Sequence, residues 1–483
     1  MLALRQRLLG ARAVRTARAG SSLTQQHLQS AAQPAARLFH SLGLNRALSD
    51  RLTQLGLTSP TSAQIKAIPP ILAGEDVVVA AETGGGKTLA FLLPVVEQLR
   101  RCPLPPSEMR LPAALVLTTS QELVRQLAAV LHQVDPELAR LAVSLSSSRQ
   151  TLGQHGSRAC PLVFATPGAL LRATKPKDFA FTQMVVVDEA DMLLSGGFEK
   201  EAKQILATIR NQPLLRAELN SCGDAENKDR QFGDDDFSAD RTQTVFSAIS
   251  SLPTVYYYGK RSVRHYIDYK FPSTVFAITD GFHRTLPKLT LHARDLQEFM
   301  ASGDFIDEQH ARCELLHDIV TSNDETGASA GEKTLVFTNS IASADALFDF
   351  LQNEKGVENC ALFHKEVDRP QRQKLLKRLD SEADADKDLV VICTDIAARG
   401  LDTTKVSHVV QFEFASDVVS YLHRIGRTGR AGTTGTVTSI ESSENSLVLD
   451  KIREAGASTL QNAFSRKRSL RKKFKKALRP NDY

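Results

Sequence analysis

The chain has 483 residues, of which 42% are hydrophobic and 24% charged, with six cysteines and a formal net charge of +5. This length allows two domains of ordinary size plus tails, and no stretch approaches the roughly 20 apolar residues that a membrane span needs. The cysteines form no Cys-x-x-Cys pair, so neither a zinc site nor a disulfide framework is supported. The sequence predicts a soluble globular protein.

The positive charge is concentrated at the two ends. Residues 1–49 contain seven arginines and no acid, residues 464–483 carry +8, and the remainder carries −10. An Arg-rich, acid-free start that can form an amphipathic helix predicts a mitochondrial transit peptide over residues 1–38. A plastid address and a disordered RNA-binding arm are the alternatives. The tail, residues 465–483, is predicted to be a flexible nucleic-acid-binding arm, with a solubility tail or a nuclear signal as alternatives.

Helical spacing dominates from Leu42 to Leu72, with Pro60 and the pair Pro69-Pro70 as predicted breaks. Apolar strand-like runs then alternate with helical patterns, which predicts a parallel sheet covered by helices. These runs are Val77–Ala80, Ala114–Leu117, Leu162–Ala165, Met184–Val187 and Thr244–Ser247. Residues from about 214 to 241 include eight acids and predict a solvated insertion.

A second α/β series follows, which makes two domains. Its predicted strands are Thr334–Phe337, Ala361–Phe363, Leu389–Cys393, His408–Gln411 and Gly435–Ile440, with a final helix over 443–464. The predicted boundaries are 39–280 for the first domain, 281–332 for a linker region and 333–464 for the second domain. Two α/β domains in tandem place a cleft between them.

Two motifs in the first domain predict a Mg-ATP site. The strand that ends at Val187 is followed by Asp188 and Glu189, a pattern that holds Mg²⁺ and a water at the carboxyl edge of a sheet. A buried strand followed by solvated acids would look similar. However, the strand that ends at Ala80 runs into a glycine loop, 84–86, followed by Lys-Thr and a helix, which is a phosphate cradle.

An ordered series of motifs over about residues 39–441 resembles DEAD-box ATP-dependent RNA helicases. The series comprises Phe39 with Pro60–Gln64, then Ala81–Thr88, Asp188–Asp191, Asp395–Asp402 and His423–Arg430. The resemblance implies two tandem RecA-like parallel-sheet domains with an ATP and RNA cleft between them, the cofactors ATP and Mg²⁺, and the activity of an RNA-dependent ATPase or RNA helicase. A DNA helicase is the disfavoured alternative.

The requirements of phosphoryl transfer give these residues roles. The predicted catalytic residues are Lys87, Asp188, Glu189, Arg427 and Arg430, with Glu189 orienting or deprotonating the attacking water. The predicted nucleotide-binding residues are Phe39, Gln64, Thr83, Gly84, Gly85, Gly86, Lys87, Thr88 and Asp402, and the predicted Mg²⁺ ligands are Thr88 and Asp188. Because both arginines lie in the second domain, hydrolysis is expected to require domain closure.

RNA contacts are predicted at Thr166 and Gly168 in the first domain and at Arg372, Thr394 and Arg399 in the second. Contacts to phosphates and sugar hydroxyls carry little base information, so RNA binding is expected to be sequence-tolerant and salt-sensitive. Ser247 and His423 are assigned to coupling hydrolysis to closure, with a ligand role as the alternative for His423.

Several positions depart from the family pattern. Gln121 stands where the family has Arg, Ala169 where Arg is common, and Ile249 where the family has Thr. These changes weaken the predicted RNA contact and coupling. An ATP-gated RNA clamp or assembly platform with weak unwinding is therefore the alternative to an active helicase.

The departures also resemble a plant and algal organellar subgroup that serves maturation of large-subunit rRNA. This resemblance implies organellar rRNA as the partner and a role in ribosome assembly. With the Arg-rich start, it favours a mitochondrial location, with the plastid as the second choice. We also expect a monomer, and the acidic insertion is a candidate site for a basic ribosomal protein, although a solvated loop is the simpler interpretation.

Overall fold

The computed structural model describes residues 38–82, 84–101, 112–145, 160–195, 197–211, 242–248, 263–279, 289–321, 333–381, 388–395, 403, 405–416, 418–429, 433–443 and 445–455. These residues form two sheets covered by helices, and all strand pairings among them are parallel. This confirms the predicted fold class. No helix in the described ranges is long and apolar enough to cross a membrane.

The first domain opens with a short 3-10 helix and continues as alternating strands and helices. Its strands are β1 Val77–Ala80, β2 Ala114–Leu117, β3 Val143–Leu145, β4 Leu162–Ala165, β5 Met184–Val187, β6 Gln243–Ala248 and β7 Val275–Ile278. Its 3-10 helices are Phe39–Leu42 and Pro176–Phe179, and its α-helices are α1 Arg46–Gln54, α2 Ser62–Leu72, α3 Lys87–Arg101, α4 Gln121–Val134, α5 Pro136–Leu141, α6 Pro167–Ala173, α7 Ala190–Leu193, α8 Glu199–Arg210 and α9 Val263–Lys270.

The described strands of the first sheet run in the order β3-β4-β2-β5-β6-β1-β7. Successive side chains of a strand point to opposite faces, and both faces of this sheet are buried. Val77 and Val79 therefore pack into one hydrophobic cluster with α2, α3 and α4, whereas Val78 packs into another with α6 and α8. This double burial explains why the strands are continuous runs of valine, leucine and alanine.

The second domain repeats this plan with a different strand order, β10-β11-β9-β12-β13-β8. Its strands are β8 Leu289–Asp295, β9 Lys333–Thr338, β10 Cys360–Phe363, β11 Val390–Thr394, β12 Val406–Gln411 and β13 Gly435–Glu441. Its helices are α10 Leu296–Ala301, α11 Glu308–Thr321, α12 Ile341–Asp349 continued by a π-helical turn Phe350–Glu354, α13 Arg369–Asp380, α14 Val418–Ile425 and α15 Ser446–Ala455.

The structure corrects the predicted linker, 281–332. Residues 289–321 belong to the second domain, because β8 pairs with β13 along its whole length and α11 packs into the core beneath the sheet. The predicted break at Pro69-Pro70 is also wrong, since α2 continues to Leu72. Both prolines lie in the last turn of α2, where each lacks the N–H that would bond to the carbonyl four residues earlier, and the helix ends two residues after Pro70. The predicted acidic insertion, residues 1–37 of the Arg-rich start and the basic tail lie outside the described residues.

The parallel strands of the first sheet bring the predicted site residues to one edge. The strand order places β6 between β1, which leads into the phosphate loop, and β5, which leads into Asp188. The register pairs Val187 with Phe246, so Asp188 comes level with Ser247 at the end of β6. On its other side β5 pairs with β2, and the loop after β2 therefore borders the same edge.

Candidate active site

The phosphate loop, residues 81–86, connects β1 to the first turn of α3. Gly84 and Gly86 have φ values of +80° and +84°, in the left-handed region that favours glycine. A Cβ atom on Gly86 would lie 2.7 Å from both Gln64 Nε2 and Thr61 Oγ1. The loop is thus shaped by glycine at a point where another segment approaches its backbone closely. Thr83 lies outside the described residues.

The predicted phosphate-binding lysine is held by its own loop. Lys87 Nζ donates hydrogen bonds to the carbonyl oxygens of Ala81 and Glu82, each at 2.7 Å. Glu82 is fixed in turn, because its carboxylate accepts a hydrogen bond of 2.9 Å from the Thr279 hydroxyl. A bound triphosphate would therefore replace these two backbone carbonyls as the hydrogen-bond partner of the Lys87 ammonium. Thr88 follows, half-buried, in the same turn of α3.

Gln64 supports the phosphate loop from α2. Its Oε1 accepts the Thr61 N–H at 2.8 Å, and its Nε2 donates to the Gly86 carbonyl at 3.2 Å. The Thr61 hydroxyl donates to the Gly85 carbonyl at 2.9 Å. Both ends of the amide are thus engaged within the protein, and the side chain is buried. Nucleotide binding by Gln64 stays a prediction, and supporting the loop is a further role that the sequence did not indicate.

Phe39, a predicted nucleotide-binding residue, packs into the core of the first domain, and its contact with nucleotide stays a prediction. The residue is 4% exposed and belongs to the first hydrophobic cluster. The segment that follows is tied to α3: Glu97 accepts the Asn45 N–H at 3.0 Å, and Arg101 donates to the Gly43 carbonyl at 2.9 Å. Phe39 therefore anchors the start of the domain.

Asp188 and Thr88 provide oxygen atoms of the kind that Mg²⁺ prefers. Burial, with the neighbouring Glu189 carboxylate, raises the pKa of Asp188 to about 6, against the opposing effects of Ser247 and Lys87. The Ser247 hydroxyl lies near enough to favour the charged form, although no hydrogen bond of ordinary geometry joins it to the carboxylate. A divalent cation would compensate this concentration of negative charge, so the residues fit the ion.

Glu189 is the point at which the two domains meet. Its backbone lies in the left-handed region, at φ 53° and ψ 46°, where strain accompanies a functional constraint in many proteins. Its Oε2 accepts a hydrogen bond from the hydroxyl of Thr119, which follows β2. Its Oε1 lies 4.0 Å from Nδ1 of His423, on α14 of the second domain. Residues of both domains therefore converge on one buried carboxylate.

Arg427 lies beside this meeting point. Its side chain is buried, its Nε donates to the His423 carbonyl at 3.1 Å, and its own carbonyl accepts the Thr403 hydroxyl at 2.5 Å. These bonds fix the turn that carries the arginine at the end of α14. Three further predicted residues, Arg399, Asp402 and Arg430, lie outside the described residues.

Arg424, which the sequence analysis did not select, organises the second-domain side of the site. Its guanidinium donates to both carboxylate oxygens of Asp395, at 2.6 and 2.9 Å, and also to the Asn339 side chain and the Glu413 carbonyl, each at 2.6 Å. The side chain is 1% exposed and also lies over the Phe337 ring. The buried Arg424 guanidinium therefore links the end of β11 to α14.

The predicted RNA contacts lie at or just after strand ends in both domains and, for Arg372, on a helix of the second domain. Thr166 and Gly168 follow β4 at the start of α6, and Thr394 ends β11. Arg372 on α13 reaches across to the first domain, where its Nη1 lies 3.7 Å from Oε1 of Glu122. The structure thus places four of the five predicted contacts, of which Arg372 faces a carboxylate of the other domain.

Comparison with protein families accounts for this arrangement. The model of the DEAD/DEAH box helicase family matches residues 61–229, and the model of the helicase conserved C-terminal domain matches residues 311–432. The chain belongs to the DEAD-box ATP-dependent RNA helicases. ATP is its nucleotide and RNA its partner, as the resemblance implied.

Curated relatives of this helicase include plant proteins named DEAD-box ATP-dependent RNA helicase 22. The protein from Arabidopsis thaliana is 29% identical over 90% of this chain and 83% of its own length. The protein from Oryza sativa subsp. japonica is 29% identical over 91% and 84%. The helicase therefore aligns with these relatives over most of both chains.

Solved structures show the same fold. Dbp5 of S. cerevisiae bound to RNA and ADP BeF3 aligns over 92% of this helicase and 100% of the solved chain, with a TM-score of 0.60 and 19% identity. Mss116 bound to ssRNA and UDP-BeF aligns over 92% and 82%, with a TM-score of 0.64 and 20% identity. At these identities the likeness concerns the two-domain fold.

Proposed function

We propose that this helicase hydrolyses ATP at a site that is complete only when its two domains are closed on RNA. The observation that carries the proposal is the 4.0 Å approach of His423 Nδ1 to Glu189 Oε1 across the domain boundary. Glu189 orients the attacking water and accepts its proton, while the water oxygen bonds to the γ-phosphorus and the bond to the ADP oxygen breaks. Opening the domains would separate His423 from this carboxylate, and Arg427, which donates to the His423 carbonyl, would move with it.

Within this proposal, Thr88 and Asp188 would hold Mg²⁺ and the loop at 84–87 would hold the phosphates. The ion would neutralise negative charge on the phosphate oxygens during transfer. Lys87 exchanges its two carbonyl partners for phosphate oxygens, and Arg427 and Arg430 add permanent positive charge from the second domain. Nucleotide and RNA each favour closure, so each strengthens binding of the other.

Because the predicted RNA contacts lie in both domains, RNA binding also favours the closed state. Thr166, Gly168, Thr394 and Arg399 are assigned to phosphates and sugar hydroxyls. Arg372 joins them, because its 3.7 Å approach to Glu122 is longer than a strong charge-assisted hydrogen bond and leaves the guanidinium able to bind phosphate instead. Binding through such groups is expected to be tolerant of sequence and sensitive to salt.

We further propose organellar rRNA as the substrate, during ribosome assembly, with a mitochondrial location and the plastid as the second choice. The Arg-rich, acid-free residues 1–49 and the resemblance to the plant and algal organellar subgroup support this proposal. The protein would act as a monomer, with ribosomal proteins as candidate partners of the acidic insertion.

The first test concerns the chemistry and uses Glu189→Gln, with Glu298→Gln as the control because Glu298 is an exposed carboxylate on α10. Glu189→Gln is expected to abolish RNA-stimulated ATP hydrolysis and to retain ATP-dependent RNA binding, whereas the control leaves both unchanged. Substantial hydrolysis by Glu189→Gln would contradict the proposed role. Turnover by the unaltered protein without release of a short duplex would instead favour the clamp or assembly platform, which Gln121 and Ile249 suggest.

The second test concerns the substrate. Glu189→Gln is expected to remain closed on its RNA, so crosslinking in cells followed by sequencing identifies what it binds. Reads concentrated on large-subunit rRNA of the organelle would support ribosome assembly. Reads spread over messenger or intron RNA would leave the helicase activity standing and reject the ribosomal role.

A further inference from the structure

Thr119 lies at the edge of the first sheet that carries Asp188 and Glu189, and the proposed mechanism gives it no role. It follows β2 by two residues, and Glu189 follows the neighbouring β5 by two residues. The parallel register pairs Leu117 with Val187, and the Asp188 N–H extends it by donating to the Leu117 carbonyl at 2.8 Å. Thr119 and Glu189 therefore come level, and both are buried, at 5% and 8% exposure.

The contact between them is specific to one oxygen of the carboxylate. The Thr119 hydroxyl donates to Oε2, whereas Oε1 is the oxygen that faces His423. The backbone of Glu189 is held separately, because its N–H donates to the Asp188 carboxylate at 3.1 Å. The described contacts thus fix the backbone through Asp188 and the end of the side chain through Thr119.

We propose that Thr119 is a positioning residue for ATP hydrolysis, which holds the Glu189 carboxylate so that Oε1 points to the water and to the second domain. This inference rests on the proposed role of Glu189. A glutamate side chain has three rotatable bonds, and in a buried site a single charge-assisted hydrogen bond is enough to select one orientation. Small displacements of a catalytic group from its productive geometry cost large factors in rate.

The test compares Thr119→Val with Thr118→Val. Both substitutions remove a buried hydroxyl and keep the shape of the side chain. Thr118 is 0% exposed, and its hydroxyl has no hydrogen-bond partner among the described residues, which makes it a matched control. Thr119→Ser keeps the donor and serves as the rescue. Each variant is measured for kcat and KM for ATP at saturating RNA, for binding of a fluorescent ADP analogue and for melting temperature.

Thr119→Val is expected to lower kcat by about tenfold to a hundredfold, the usual effect of losing one hydrogen bond to a charged group, and to leave KM and ADP affinity within about twofold. Thr119→Ser is expected to restore kcat to within about threefold, and Thr118→Val to leave it unchanged. Equal kcat for the two valine variants, a change in KM alone, or failure of serine to restore the rate would each overturn the inference. The proposed role of Glu189 fails separately, if Glu189→Gln keeps its turnover.

Discussion

The close approach of α2 to the phosphate loop can be tested by adding one methyl group at each of two glycines. Gly84 and Gly86 have nearly the same left-handed φ, +80° and +84°. A Cβ atom on Gly84 would meet nothing within 4 Å, whereas one on Gly86 would lie 2.7 Å from Gln64 Nε2 and from Thr61 Oγ1. Gly84→Ala therefore carries the backbone strain alone, and Gly86→Ala carries the same strain plus a steric clash.

The size of the difference follows from the contacts. A left-handed non-glycine residue costs about 1 kcal/mol, so Gly84→Ala is expected to weaken nucleotide binding about fivefold. Gly86→Ala must also displace the hydrogen bonds from Gln64 and Thr61 to the loop, at about 1 kcal/mol each. The total of about 3 kcal/mol predicts a loss of roughly a hundredfold or more.

The assay is a titration of each variant with a fluorescent ATP analogue, with circular dichroism to verify the fold. A large loss for Gly86→Ala together with a small loss for Gly84→Ala would support the contact between α2 and the loop. Equal affinities for the two variants would refute it, because the strain they share would then account for the whole effect.

Three further predictions concern the second domain and the tail. In Arg424→Lys, the lysine ammonium cannot form the bidentate hydrogen bonds that Arg424 makes to Asp395. The variant is expected to lower the free energy of unfolding of the second domain by about 3 kcal/mol, measured by urea unfolding. His408 is fully buried, and burial, with His292 nearby, lowers its pKa to about 4. The unfolded chain takes up a proton at His408 near pH 6.5, whereas the folded chain does so only near pH 4. The free energy of unfolding is therefore highest above pH 6.5 and falls by up to about 3 kcal/mol towards pH 4. The loss should be smaller in His408→Gln, and identical pH profiles for the variant and the unaltered protein would contradict the assignment. Deletion of residues 465–483 is expected to weaken RNA binding and flatten its dependence on salt, and an unchanged slope of affinity against salt would exclude the tail from RNA binding.

The sequence predicted those parts of the fold whose signal is local. The strands β1, β2, β4 and β5 have the predicted bounds, because strands buried on both faces are continuous apolar runs. Strands β3, β7 and β8 were not predicted. They are edge strands in their sheets, where one side is less enclosed and the apolar pattern is correspondingly weaker.

The candidate site shows the same division between local and long-range information. The phosphate loop and the acidic residues after β5 are contiguous motifs, so the sequence locates them directly. The contacts of Thr119, Arg424 and Phe39 depend on which strands and helices become neighbours. The register that brings Thr119 level with Glu189 would have identified it, but strand order is a long-range property of the fold.

The boundaries of the folded unit have a practical consequence for expressing shorter versions of this protein. A fragment cut to the family matches, residues 61–432, would lose Phe39, Leu42 and Leu52 from the first core and leave their partners on α2 and α3 exposed to water. It would also lose β13, which lies between β12 and β8, so that β8 would have no described neighbour to pair with. Such a fragment is expected to aggregate, whereas one that begins at residue 38 and extends past α15 retains both sheets.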